Sequence, residues 1–124
     1  MSIEENKAFI RKYLEVFSGK DKPKELLEQY TSDPELIEQV LVIEAAFPKF
    51  ENIVDEMIAE GDWVCIFGRF RGVHKGDLNG IPPTGKQVEN PTAVFYRLAE
   101  GKIAKGWIFR DRMRTFEQLG VLPG

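Results

Sequence analysis

At Pro48 the hydrophobic pattern of this chain changes its period, and no other feature restricts its fold as strongly. Before Pro48, apolar residues recur every three or four positions: Phe9, Tyr13 and Phe17 with Ile10 and Leu14, then Leu36, Ile37, Val40, Leu41, Ile43 and Phe47. After it, they alternate. The first spacing gives each helix one apolar stripe, and the second gives each strand one apolar face. Helices first and strands afterwards describe an α+β chain whose helices gather on one side of an antiparallel sheet.

Punctuation residues set the boundaries. Ser2 followed by Glu5 forms a capping box, and Gly19 ends the helix it opens. Asp21 and Pro23 open a second helix carrying Leu26, Leu27 and Tyr30, and "SDPE" (32–35) opens a third through Asp33 as cap and Pro34 in the first turn. These signals predict helices near 3–18, 23–31 and 34–47. Strands follow over 51–60, 63–73, 87–98 and 102–115, paired as hairpins across "EGD" and "EG". The hairpins are joined by "GIPPTGK" (80–86), in which prolines fix φ and Gly80 and Gly85 permit conformations closed to other residues. The expectation is one domain over residues 1–124: a strongly bent antiparallel sheet wrapped around three N-terminal helices, with the proline loop on its rim.

Composition narrows the function. A formal net charge of −3 argues against nucleic acid as partner, although "RDRMR" (110–114) is locally basic. No apolar run is long enough for a membrane span or signal peptide, which points to the cytosol. Cys65, the single cysteine, has no partner for a disulfide and reads as buried and inert. No histidine and carboxylate group has metal-ligand spacing, no serine or cysteine forms a triad with His74, and Lys86 lacks the phosphate-loop pattern. No metal and no cofactor are expected.

A two-residue turn at Glu100 and Gly101 pairs Ala99 with Lys102 and sets a register for the second hairpin. In that register Val94 faces Trp107, Thr92 faces Phe109, and Asn90 faces Asp111, with Met113 on the same side. Asp111 is then a carboxylate on an apolar face, where desolvation favours its protonated form and suits a general acid or base. Asn90 would orient it or donate to an oxyanion. A purely structural Asp111, bonded to Asn90 or a nearby arginine, is the alternative. The opposite face, with Ala93, Phe95, Ile108 and the arginines, is expected to meet a second copy of the chain. Asp55 reads as a surface carboxylate. Because the unperturbed pKa of a histidine lies near neutrality, His74, in "GVHKG", is a catalytic candidate; a structural loop histidine bonding a backbone carbonyl of the turn is the other reading.

Three stretches, "AAFPKFENIVDEMIAEGDWV" (45–64), "RGVHKGDLNGIPPTGKQVE" (71–89) and "VFYRLAEGKIAKGWIFRD" (94–111), resemble the SnoaL-like polyketide cyclases, or ester cyclases, of the nuclear transport factor two-like superfamily. "QLG" (118–120) fits as well. The resemblance implies a cone-shaped, cystatin-like fold around an apolar cavity, a homodimer through the sheet's outer face, and a cofactor-free intramolecular aldol cyclisation. It makes Asp111, the aspartate of W-x-x-x-D, the acid/base. Lys105 and Gly106 stand where the family often carries Glu and His. The expected partner is an apolar, carbonyl-containing small molecule in a pocket lined by Trp107, Phe109, Met113, Val94, Thr92, Tyr13, Phe17 and Phe47. A non-catalytic ligand-binding or dimeric interaction module, or a related isomerase or hydrolase, are the other readings of such a chain.

Overall fold

The capping residues do what their spacing predicts. In the computed structural model, which describes residues 2–121, Ser2 Oγ accepts the Glu5 N–H and Glu5 Oε1 accepts the Ser2 N–H, opening helix α1 (Ile3–Phe17). Asp33 caps α3 (Pro34–Ala46) with Pro34 in its first turn, and the short α2 (Lys24–Tyr30) lies between them. The buried stripe of α1, Ile10, Tyr13, Leu14 and Phe17, meets Tyr30 of α2, with Phe17 and Tyr30 rings edge-on at 5.7 Å.

Strands β1 (Glu51–Glu60), β2 (Trp63–Val73), β3 (Gln87–Ala99) and β4 (Lys102–Arg110) form one antiparallel sheet in sequence order. Its concave face buries Val64, Ile66, Phe70, Val88, Val94, Tyr96, Leu98 and Ile103 against the helices. Hydrophobic burial of that face is the main source of stability, at roughly 1.5–3 kcal/mol for each large side chain fully enclosed. A buried ammonium adds a specific tie: Lys22 Nζ donates to Lys20 O (2.8 Å), Glu44 Oε1 (2.9 Å) and Phe50 O (3.1 Å), and lies 4.0 Å from the centre of the Phe50 ring. It fastens the linker between α1 and α2 to the end of α3 and the start of β1. No described helix is long and apolar enough to cross a membrane.

Three expectations need correction. The last strand ends at Arg110 instead of running to 115, and a fourth helix, α4 (Arg112–Leu119), follows, capped by Asp111 and closed by Gly120 at φ +76°. Alternation in "RDRMR" mimics a strand, but Asp111 as cap, Phe116 and Leu119 at spacing three, and Gly120 are helix signals. The register of the second hairpin also differs. It starts as predicted, Ala99 with Lys102 and Leu98 with Ile103, but a bulge then leaves Ala104 unpaired, so that Arg97 meets Lys105 and Val94 meets Ile108. One extra residue exchanges the two faces of everything beyond it. Trp107 and Phe109 therefore lie on the convex face, while Ile108 and Arg110 turn inward. Finally, Cys65 lies on the convex face and is half-buried; desolvation pushes its thiol pKa up.

Candidate functional site

The interior of the cone is nearly filled. A void of about 20 Å³, room for about one water, remains among Tyr13, Val40, Thr92, Val94, Tyr96 and Arg110. Space opens instead at the mouth, where α3, the end of β4, α4 and the loop at Leu78 and Asn79 border a cleft of about 560 Å³. Its walls are Val42 and Ile43 from α3, Phe47 just beyond that helix, Phe70 from β2, Ile108 from β4 and Phe116 from α4, with Glu35, Glu38, Gln39, Asn79, Arg112 and Thr115 as polar lining. Phe70, Ile43, Ile108 and Arg110 line both spaces, so Arg110 stands where cleft and interior adjoin.

The proline loop explains how this rim is held. Thr84 N–H donates to His74 Nδ1 (3.2 Å), Gly85 N–H to His74 O (2.9 Å), and His74 N–H to Lys86 O (2.9 Å), folding the loop back on the end of β2. Gly85 adopts φ +71°, which a side chain would strain. Because Nδ1 accepts, the ring proton sits on Nε2, which is buried without a hydrogen-bond partner. The fully buried His74 ring packs 5.4 Å from that of Phe47 and does not border the cleft itself. It supports the wall.

Asn90 faces the concave side, as predicted, but opposite Phe70 of β2. Its Nδ2 donates to Thr115 Oγ1 at 2.6 Å, Thr115 Oγ1 donates in turn to Asp111 O (3.3 Å), and Asn90 Oδ1 is buried with no partner. This pair locks α4 across the sheet. Asp111 does not face Asn90 across the sheet. It is exposed at the N-terminus of α4, where Oδ1 accepts the Arg114 N–H at 3.0 Å, because the bulge and the helix start turn it away from the cone.

Of the expected pocket residues, Phe47 lines the cleft, Tyr13, Thr92 and Val94 line the inner void, and Phe17 is core. Phe109 reaches the cleft's rim while packing edge-on against Phe95 (5.8 Å) outside. Trp107 stacks on Trp63 at 5.2 Å on the convex face, and Met113 is exposed on α4. Asp55, at a bulge in β1, is exposed and paired with Arg69, as a surface carboxylate should be.

Arg110 was not foreseen as a site residue. Its guanidinium carbon lies 5.3 Å from the centre of the Phe70 ring, and it forms no hydrogen bond or ion pair with any described residue. Desolvation lowers its pKa, and the neighbouring Arg112 adds to that. Gly106, two inward positions earlier, has a different neighbour: a Cβ there would lie 2.7 Å from Leu36 Cδ2, so Leu36 fills the space a larger residue would take. No group of three His, Cys, Asp or Glu able to hold a metal occurs among the described residues.

Comparison with known proteins identifies relatives. The sequence model of the SnoaL-like polyketide cyclases matches residues 11–119. No curated protein matches the chain. Among solved structures, a protein of Jannaschia sp. CCS1 assigned as a SnoaL-like polyketide cyclase superposes with a TM-score of 0.82 at 21% identity, over 99% of this chain and 97% of that one. A protein of Acidithiobacillus ferrooxidans assigned as a polyketide cyclase gives a TM-score of 0.78 at 26% identity, over 99% and 100% of the two chains. AclR of Streptomyces galilaeus, assigned as a hydroxylase, gives 0.76 at 22% identity, over 99% and 85%.

Proposed function

The chain belongs to the SnoaL-like polyketide cyclase family, and on that premise we propose that it takes an apolar, carbonyl-containing small molecule into the cleft between α3, β4 and α4. There it promotes cofactor-free acid/base chemistry, an intramolecular aldol cyclisation or a related proton transfer. The carrying observation is the cleft, whose volume of about 560 Å³ lies within the range of small-molecule sites and whose walls set apolar side chains beside nearly as many polar and charged ones. Abstraction of a proton α to a carbonyl makes an enolate, which needs fixed donors or a cation beside its oxygen. Arg112 lines the cleft and supplies such a cation. Asp111 is the acid/base of this reading: it does not itself line the cleft but is flanked in sequence by the lining residues Arg110 and Arg112, and its Oδ2 accepts no hydrogen bond from a described residue. We take the setting to be cytoplasmic.

A second reading, ligand binding without chemistry, is favoured by the exposure of Asp111. One experiment separates them. Exchange of solvent deuterium into the α position of aromatic β-keto ester probes, followed by NMR, should be accelerated by the wild type and about a hundredfold or more less by Asp111→Asn. Probe binding with no acceleration by the wild type would leave the second reading standing and end the first.

Assembly belongs to the same proposal. The convex face exposes Ile58, Trp63, Phe67, Phe95 and Phe109, a set of large apolar side chains of the kind that marks an interaction surface. A homodimer through this face covers it. Ile108 and Arg110, once expected there, turn inward and take no part. Sedimentation showing a monomer at micromolar concentration would contradict the dimer.

A further inference from the structure

We infer that the ligand of the cleft is an acid, and that its carboxylate rests on Arg110, so that the site selects an apolar carboxylic acid over the corresponding neutral ester. The inference rests on the cleft being the ligand site, as proposed above. Its basis is a contrast among the arginines of the sheet. Those on the convex face are paired while their side chains stay partly open to water: Arg69 with Asp55 (3.3 Å) and Glu89 (3.6 Å), Arg71 with Glu51 (3.1 Å), Arg97 with Asp62 (3.4 Å). Arg110, turned inward and half-buried, has no carboxylate partner among the described residues.

Pairing on the outer face, and none at the one arginine of the sheet that turns inward beneath an aromatic ring, is the reverse of what stability alone requires. A guanidinium carries five N–H donors and no acceptor, so burying it without a partner is costly unless something else supplies the anion. Phe70 covers one face of the group, which leaves its N–H edge for a planar, two-oxygen acceptor, the geometry a carboxylate matches in a bidentate pair.

The other charges at the cleft favour the same ligand. Arg112 adds positive potential on the same side. Glu35 is engaged by Lys105 at 3.0 Å, and Glu38, exposed on α3, is in ion-pair contact with neither arginine. The apolar skeleton of the ligand would lie along Val42, Phe47 and Phe116. A neutral ester would gain those same contacts and leave the guanidinium desolvated without a counter-charge.

Titration of the full chain with 2-naphthoate and with methyl 2-naphthoate tests this, with the change in tryptophan fluorescence or ligand NMR line widths as readout. The acid should bind wild type about tenfold to a hundredfold more tightly than the ester. Arg110→Gln should remove that preference while leaving ester affinity unchanged; Arg110→Lys should keep part of it, and Arg112→Gln most of it. Because Arg110 is unpaired, Arg110→Gln should melt at or above the wild-type temperature, whereas a structural arginine would melt lower. Equal binding of acid and ester by wild type, or a preference that survives Arg110→Gln, overturns the inference and leaves the cleft reading intact. A Phe116→Trp variant, which crowds the cleft, should weaken both probes. Undiminished binding there, or no binding of either probe to wild type, would overturn both.

Discussion

Asp33 holds the back wall of the cleft, and its removal has a cost that can be worked from its contacts. Its side chain is buried; Oδ1 accepts the Glu35 N–H at 3.0 Å and Oδ2 the Gly106 N–H at 3.1 Å. The first bond caps α3 and contributes about 1 kcal/mol. The second joins α3 to β4, and losing it strands a buried N–H, at about 1–3 kcal/mol. Lys105 Nζ is 3.8 Å from Oδ2, but it is part-exposed and closer to Glu35, so the ion pair adds little. Asp33→Ala should therefore cost about 3 kcal/mol, which for a chain of this size lowers Tm by about 12 °C. Lys105→Met should cost far less. Asp33→Asn, which keeps the cap oxygen but turns an N–H toward that of Gly106, should fall between them. Urea unfolding followed through Trp63 and Trp107 measures all three, provided the slope with denaturant is unchanged. A loss under about 1 kcal/mol for Asp33→Ala, or an equal loss for Lys105→Met, would refute a clamp made through backbone N–H groups.

Lys22→Ala should lose about 3 kcal/mol, because three acceptors and a ring face lose a buried ammonium, whereas Lys22→Met with Glu44→Leu should recover much of it; a single-variant loss near zero in calorimetry would contradict the tie. Gly106→Ala should lose about 1–3 kcal/mol through overpacking against Leu36, partly restored by Leu36→Val, and an unchanged Tm would contradict the close fit. Tyr13 and Tyr96 are buried, and desolvation raises both pKa values. Since the unfolded chain releases these protons at about pH 10 and the folded chain holds them longer, their contribution is intact below that pH and is lost as pH rises further. Alkaline unfolding followed by tyrosinate absorbance should therefore shift to higher pH in Tyr13→Phe, and no shift would count against the burial effect.

The sequence by itself determined what is local. Caps at Ser2 and Asp33, the helical spacing of Ile10, Leu14 and Phe17, the break at Pro48 and the turn at Glu100 and Gly101 each act within a few residues, and each element they predict is present. The motifs after Ala45 carried the family, and the proline loop was legible as a shaped connector on the rim. Only the tertiary structure decided which side chains share a face beyond Ala104. A bulge costs little locally and is selected by how the whole sheet bends over the helices, yet one unpaired residue turned Trp107, Phe109 and Asp111 away from the interior and brought Ile108 and Arg110 into it. The helix after Arg110 follows the same logic. Its alternating charges fit a strand as well as a helix, and the bond from Asn90 to Thr115, 25 residues apart, favours the helix. A guanidinium stripped of partners is likewise invisible in one dimension, because partnership depends on distances that only the folded chain sets.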